Sequence, residues 1–81
     1  MTVRVLWFAS LRDRTGRREE TVEVEAGDDV LALWERLAAR HPRLREVTVR
    51  PMVACDRAYA SWDRRLGGVD EVAFLPPVSG G

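Results

Sequence analysis

The 81-residue sequence predicts an α+β roll in which one main helix covers one face of a mixed sheet of four to five strands. Three observations carry that expectation. Alternating β-branched and aromatic residues open the chain at 3–9 and recur near its end at 71–75. Between them stands a single apolar stripe with a helical period. The length allows one core and no second.

Residues 3–9 (Val-Arg-Val-Leu-Trp-Phe-Ala) read as the first strand. One parity holds Val3, Val5, Trp7 and Ala9; the other holds Arg4, Leu6 and Phe8, a face that begins polar and turns apolar. Such a strand is central in its sheet or has a partner over its second side. The pattern leaves open which parity meets the helix. Ser10-Leu11-Arg12-Asp13 has the Ser-x-x-Asp spacing of a helix start, enough for a single turn, and Gly16 breaks it inside an arginine-rich loop. Residues 20–25 alternate strictly, with Val22 and Val24 inward and Glu23 and Glu25 outward, and form a hairpin with the first strand.

Asp28 or Asp29 is placed to cap the next helix. Val30, Leu33, Trp34, Leu37 and Ala38 then recur at helical spacing, until Pro42 stops the pattern near His41. Residues 43–51 show no period and read as a connection with little regular structure, closed by Pro51. Residues 52–57 form a third strand with Val53 and Cys55 on one face, and 58–60 a short fourth. Residues 61–70 are a turn-rich link holding Gly67-Gly68. The final strand, 71–75, ends at Pro76-Pro77, which have no N–H for a sheet ladder.

With a crossover helix between them, the first and last strands are expected to pair in parallel at the sheet's centre. That order is the β-grasp, or ubiquitin-like, arrangement, expected over residues 1–76 with a Gly-Gly tail at 77–81. The expected core is Val5, Val22, Val24, Val30, Leu33, Trp34, Leu37, Val53, Val72 and Phe74, joined by Val3 or Leu6.

Composition narrows the function classes. A hydrophobic content of 46% with three tryptophans indicates a core rather than disorder. The 13 basic residues, all arginine, balance 13 acidic ones, where a nucleic-acid binder is expected to be one-sidedly basic. With no lysine, the chain offers no side-chain amine for a Schiff base or an isopeptide bond. Cys55 is the sole cysteine, so neither an intrachain disulfide nor a cysteine-based metal cluster is expected. No window reaches the roughly 18 apolar residues of a membrane span, and no signal segment is seen, so a cytoplasmic protein is expected.

Catalytic groupings are scarce. His41, the single histidine, reads as a solvated helix-end residue, and Cys55 as a small buried hydrophobe. Asp28-Asp29 is read as a cap rather than a metal corner. Gly67-Gly68 is a turn, since no Lys-Ser/Thr follows it. Arg64-Arg65, Arg43, Arg45 and Arg50 read as a solvated or partner-facing surface, without the interleaved aromatics of a stacking platform.

What remains is the end of the sequence, Leu75-Pro76-Pro77-Val78-Ser79-Gly80-Gly81. The prolines keep it from continuing as strand or helix. Extended from Pro77, it reaches about 16 Å. Glycine has no Cβ, so Gly80-Gly81 fits a channel too narrow for other residues. A carboxylate there is inert until activated as an acyl-adenylate, after which sulfur or an amine can attack it.

Val5-Leu6-Trp7-Phe8-Ala9 and Asp70-Glu71-Val72-Ala73-Phe74-Leu75-Pro76-Pro77-Val78-Ser79-Gly80-Gly81, with the helix and strand between them, resemble the family of small sulfur-carrier subunits of molybdopterin synthase. That family is grouped with the thiamine-pathway sulfur carrier and, more distantly, ubiquitin. The resemblance covers essentially the whole chain, with two departures. Cys55-Asp56 stands where the family's third strand ends in an Asn turn, and Val69 replaces the glycine of a Gly-Asp-Glu turn, a role Gly67-Gly68 takes over.

The resemblance implies a carrier that is not catalytic alone. An adenylating, ubiquitin-activating-like enzyme would use Mg-ATP on Gly81, and a persulfide donor would convert it to a thiocarboxylate. Val78, Ser79 and Gly80 would then thread into the large subunit of a heterotetrameric synthase, and the sulfur would pass to cyclic pyranopterin monophosphate in molybdenum cofactor biosynthesis. Phe8, Leu75, Pro76 and Pro77 would form the partner interface. No metal, stably bound cofactor, nucleic acid or membrane is implied. Three other readings stand beside this one: a sulfur carrier for thiamine, tRNA thiolation or cysteine synthesis, a protein modifier joined through Gly81 to lysines elsewhere, and an interaction module with an inert tail.

Overall fold

The computed structural model describes residues 1–77. Its elements are β1 (Thr2–Trp7), α1 (Ser10–Thr15), β2 (Glu19–Glu23), α2 (Val30–Arg40), a 3-10 turn (Pro42–Glu46), β3 (Met52–Cys55), β4 (Ala58–Ala60) and β5 (Glu71–Leu75). They build one five-stranded sheet in the order β2-β1-β5-β3-β4. β1 and β5 are parallel central neighbours, Val5 opposite Val72 and Trp7 opposite Phe74, and the other pairings are antiparallel. This is the β-grasp roll.

The strand parity that the sequence left open is settled by burial. Val3, Val5 and Trp7 face α2 together with Val22, Val24, Val53, Cys55, Val72 and Phe74, whereas Leu6 lies on the opposite face. The apolar stripe of α2 packs onto them with Leu33 and Leu37 fully buried. Trp34 is only half-buried. It stands edge-on to both Trp7 and Phe74, which stack with centroids 5.4 Å apart. Leu11, Leu44, Leu66 and Val69 join the core from outside the expected stripe and strands.

Helix ends show how the connections are held. Asp29 is the N-cap of α2, its Oδ1 accepting from the Ala32 N–H at 2.9 Å, while Asp28 Oδ2 accepts from the Glu25 N–H. The next donors, the Val30 and Leu31 N–H groups, are satisfied by the carbonyls of Arg64 and Trp62, so the 61–70 link wraps the start of α2. The cap of α1 differs from expectation. Ala9, not Ser10, is the N-cap, with no side-chain hydrogen bond, because the chain turns sharply out of β1 one residue earlier. Gly16, at φ 71°, closes α1 as expected. Within 43–51, read as a connection with little regular structure, residues 43–46 instead join Pro42 in the 3-10 turn, because Pro42 suits a first helical position and Leu44 anchors the turn in the core.

His41 requires a second correction. Glu20 has the parity of Val22 and Val24, so its carboxylate points inward, its side chain 3% exposed. It accepts from Trp7 Nε1 at 2.9 Å, Arg40 at 2.9 Å and His41 Nε2 at 2.7 Å. The His41 ring is therefore held against the core, not solvated, because the inward-pointing Glu20 carboxylate lies at the end of α2 within reach of its Nε2. Burial alone pushes the Glu20 carboxyl up. The hydrogen bonds from Trp7, Arg40 and His41, with the charge of His41, outweigh it and hold the group below the usual carboxylate range.

Glu20→Gln is therefore expected to lower stability at neutral pH by about 2–3 kcal/mol, since three donors lose a charged acceptor. A carboxyl whose folded value is depressed stabilises the fold above its ordinary value of 4.5 and loses that contribution as pH falls through the folded value. Denaturant unfolding across that range should show the gap between parent and variant closing in acid. A gap independent of pH would mean that the charge of Glu20 contributes nothing.

Candidate functional site

The sheet face turned away from α2 carries an exposed apolar surface. Backbone register lines up Leu6, Ala73, Ala54 and Tyr59 across β1, β5, β3 and β4. The two central alanines are short and the flanking Leu6 and Tyr59 are long, so the row is concave. The resulting depression, about 390 Å³, is lined also by Phe8, Leu75, Arg57 and Glu71. Tyr59 is 73% exposed and Phe8 37%. At one end Arg4 Nη2 donates to Glu71 Oε1 at 2.5 Å, closing the apolar patch with an ion pair and raising the Arg4 guanidinium further above its ordinary value.

Phe8 sits one residue beyond β1 and Leu75 ends β5, so the parallel pairing delivers both to the same end of the depression. Directly after Phe8, Ala9 adopts φ 49° and ψ −125°, a region that favours glycine. That turn releases the chain into α1 and leaves Phe8 at the rim. Pro76 and Pro77 do not share this surface. They line a separate, smaller groove with Ser10, Leu11, Arg14, Glu46 and Pro51, so the four expected interface residues divide between two adjoining surfaces. Val78, Ser79, Gly80 and Gly81 lie outside the described residues.

Leu6, Ala54, Tyr59 and Ala73 were not among the expected site residues. The signal was their parity: Leu6, Ala54 and Ala73 each alternate with core residues of their strands, Tyr59 sits beside the partly buried Ala60, and β5 is buried on both faces from Glu71 to Phe74. The departures at the turns prove benign. Asp56 and Arg57, at φ 50° and 71°, make the two-residue β3–β4 turn, and Gly68, at φ 82°, serves the turn before β5. Asp56 Oδ1 also accepts from the N–H groups of Asp70 and Glu71 at 3.0 Å each, fastening the start of β5.

The described residues offer little chemistry of their own. Cys55 is buried on the core face, and that burial pushes its thiol up, away from the thiolate a nucleophile needs. Among the described residues no group of three or more His, Cys, Asp or Glu side chains is placed to hold a metal ion, and no helix is long and apolar enough to cross a membrane.

The sequence profile of the ThiS family matches residues 5–81. The chain is 43% identical to the molybdopterin synthase sulfur carrier subunit of Mycobacterium tuberculosis, over 98% of this chain and 96% of that one. It is 37% identical to the human protein of the same name, over 98% and 93%. The crystal structure of SAMP1 from Haloferax volcanii superposes with a TM-score of 0.83 at 27% identity, covering the whole of both chains. With its β-grasp sheet, its anchored β5 and a profile match running through Gly81, the chain belongs to the ThiS family, and its relatives there include molybdopterin synthase sulfur carrier subunits.

Proposed function

We propose that the chain is the sulfur carrier subunit of a molybdopterin synthase, with Gly81 as the atom-carrying residue and the catalytic groups supplied by partners. The observation that supports this most is the similarity to the M. tuberculosis carrier subunit, which spans nearly all of both chains. The described residues fit that role, since they form an anchor and a docking face rather than a catalytic cluster.

The chemistry rests on the carboxylate of Gly81. In an adenylating enzyme its oxygen attacks the α-phosphorus of Mg-ATP and diphosphate leaves. The terminal sulfur of a persulfide donor then displaces AMP, and thiol cleavage of the acyl disulfide leaves a thiocarboxylate. The tail, Val78-Ser79-Gly80-Gly81, carries that sulfur into the large subunit, where it passes to cyclic pyranopterin monophosphate. What this chain contributes is placement. The core pairing of Trp7 with Phe74 fixes the end of β5, Pro76-Pro77 stop the strand there, and the apolar depression around Phe8 and Leu75 seats the partner.

Intact mass after co-expression with the adenylating enzyme and a sulfur source should rise by the difference between sulfur and oxygen. Deleting Gly81 should abolish the shift while leaving the melting temperature unchanged. Absence of the shift with an intact C-terminus, or Gly81 found joined to lysines of other proteins, would replace this reading with an inert tail or with conjugation.

Phe8→Ala is expected to weaken binding to the large subunit by about tenfold, as truncation of an aromatic side chain that becomes buried in an interface does. Its melting temperature should stay near the parent's, because Phe8 lies outside the core cluster. Unchanged affinity would remove the depression from the interface.

A further inference from the structure

The sequence is electrically neutral, but the fold separates its charges. Residues 8–20 and 40–51 hold eight arginines against four carboxylates, while the rest of the chain holds five against nine. These two segments come together at the end of the sheet where β1 and β5 finish. Parallel pairing puts Trp7 beside Phe74, and antiparallel pairing puts Glu19 opposite Leu6 and Met52 opposite Leu75. α1 and the 3-10 turn are joined there by Arg14 to Glu46 at 2.5 Å and by Arg43 to the carbonyl of Asp13. Arg14 and Glu46 line one groove with Pro76 and Pro77, so this cluster borders the base of the tail. A formal charge of +4 gathers there and −4 over the remainder.

Three of the four carboxylates are already engaged, Glu19 by Arg4, Glu20 by Arg40 and His41, and Glu46 by Arg14. Arg17, Arg18 and Arg45 are exposed and make no ion pair among the described residues. Arg50 lies over the Trp62 ring, 4.8 Å from its centroid, with its charge still toward solvent. Such charges contribute little to folding, so their common placement calls for another role.

We infer that this basic collar is a docking surface for an acidic protein rim surrounding the channel that receives the tail. Arginine's planar fork pairs with carboxylates in a defined orientation, which an apolar depression alone does not impose. A molecule positive at its tail end and negative elsewhere is also turned tail-first toward an acidic opening before contact, which raises the productive association rate. Nucleic acid fits less well. The collar is interrupted by carboxylates, the chain has no net positive charge, and the aromatic at its edge is already covered by Arg50.

The inference rests on the carrier reading only in taking the tail to enter a partner, and two measurements separate them. The first is stopped-flow association of the full chain with the large synthase subunit of the same organism. Arg17→Glu with Arg45→Glu should slow association about tenfold at low salt, with dissociation unchanged and the difference vanishing toward about 1 M salt, where screening reaches a few ångströms. Arg64→Glu, at the opposite end, should change the rate less than twofold. Equal slowing by Arg64→Glu, or no slowing by the double variant, overturns the collar.

Failure of the parent to bind at all counts against the carrier reading instead, and the second measurement then tests the collar alone. NMR titration with a deca-glutamate peptide at low salt should shift amides in 10–20 and 40–51, and the double variant should lose those shifts. Shifts elsewhere overturn the assignment. So does tighter binding of a short DNA duplex, or salt-sensitive head-to-tail association of the chain with itself, either of which names a different occupant.

Discussion

Parallel pairing of β1 with β5 is the constraint on which the rest of the structure depends. Two parallel neighbours cannot be joined by a tight turn, so the chain between them must leave the sheet at one end and return at the other. It does so by turning into the β2 hairpin on one side, crossing the face as α2 and filling the far edge with β3 and β4. The C-terminal ends of β1 and β5 therefore open side by side. Phe8, Leu75, the proline pair and the arginine-bearing loops become neighbours through this one pairing, although the sequence scatters them.

The same pairing divides the sheet into unlike faces. One is closed by α2 over the Trp7–Phe74 stack, and the Glu20 carboxylate ties β2, Trp7 and the end of α2 together at its border. A buried carboxylate is costly unless its acceptors are filled, and here three donors fill them. The other face is left shallow by Ala54 and Ala73. Its openness follows from side-chain size, with no special backbone feature needed.

Much of this was legible in the residues. Alternation marked β1, β2 and β5, the stripe from Val30 to Ala38 marked α2, and prolines marked the stops. What stayed hidden has a physical reason in each case. Glu20 carries a charge, and charge argues for solvent even where parity with Val22 and Val24 argues for the core. His41 could not be placed without Glu20. Leu66 and Val69 are buried from a glycine-rich link with no period to expose them. Alanine is a weak signal for an open face, because its meaning depends on the larger residues beside it in neighbouring strands. The charge separation is invisible along the chain, because a neutral total becomes two opposed halves only after the topology is known.

The register of β5 joins core packing to the position of the tail. A slip of one residue would carry Val72 and Phe74 to the open face and bring Ala73 and Leu75 inward, ending the stack on Trp7 and filling the depression. It would also move the base of the tail by about 3.3 Å, one residue of strand rise. Fully buried Phe74 and Val72 make that slip expensive, and at the strand's other end Asp56 Oδ1 holds the amides of Asp70 and Glu71 while the Arg4 amide donates to the Asp70 carbonyl. On the carrier reading, a terminal carbon must meet a partner's reacting groups to within about 1 Å, a tolerance that proximity effects make steep. The described part of the chain meets that demand at a distance, by fixing where Leu75 ends rather than by touching the reacting atoms.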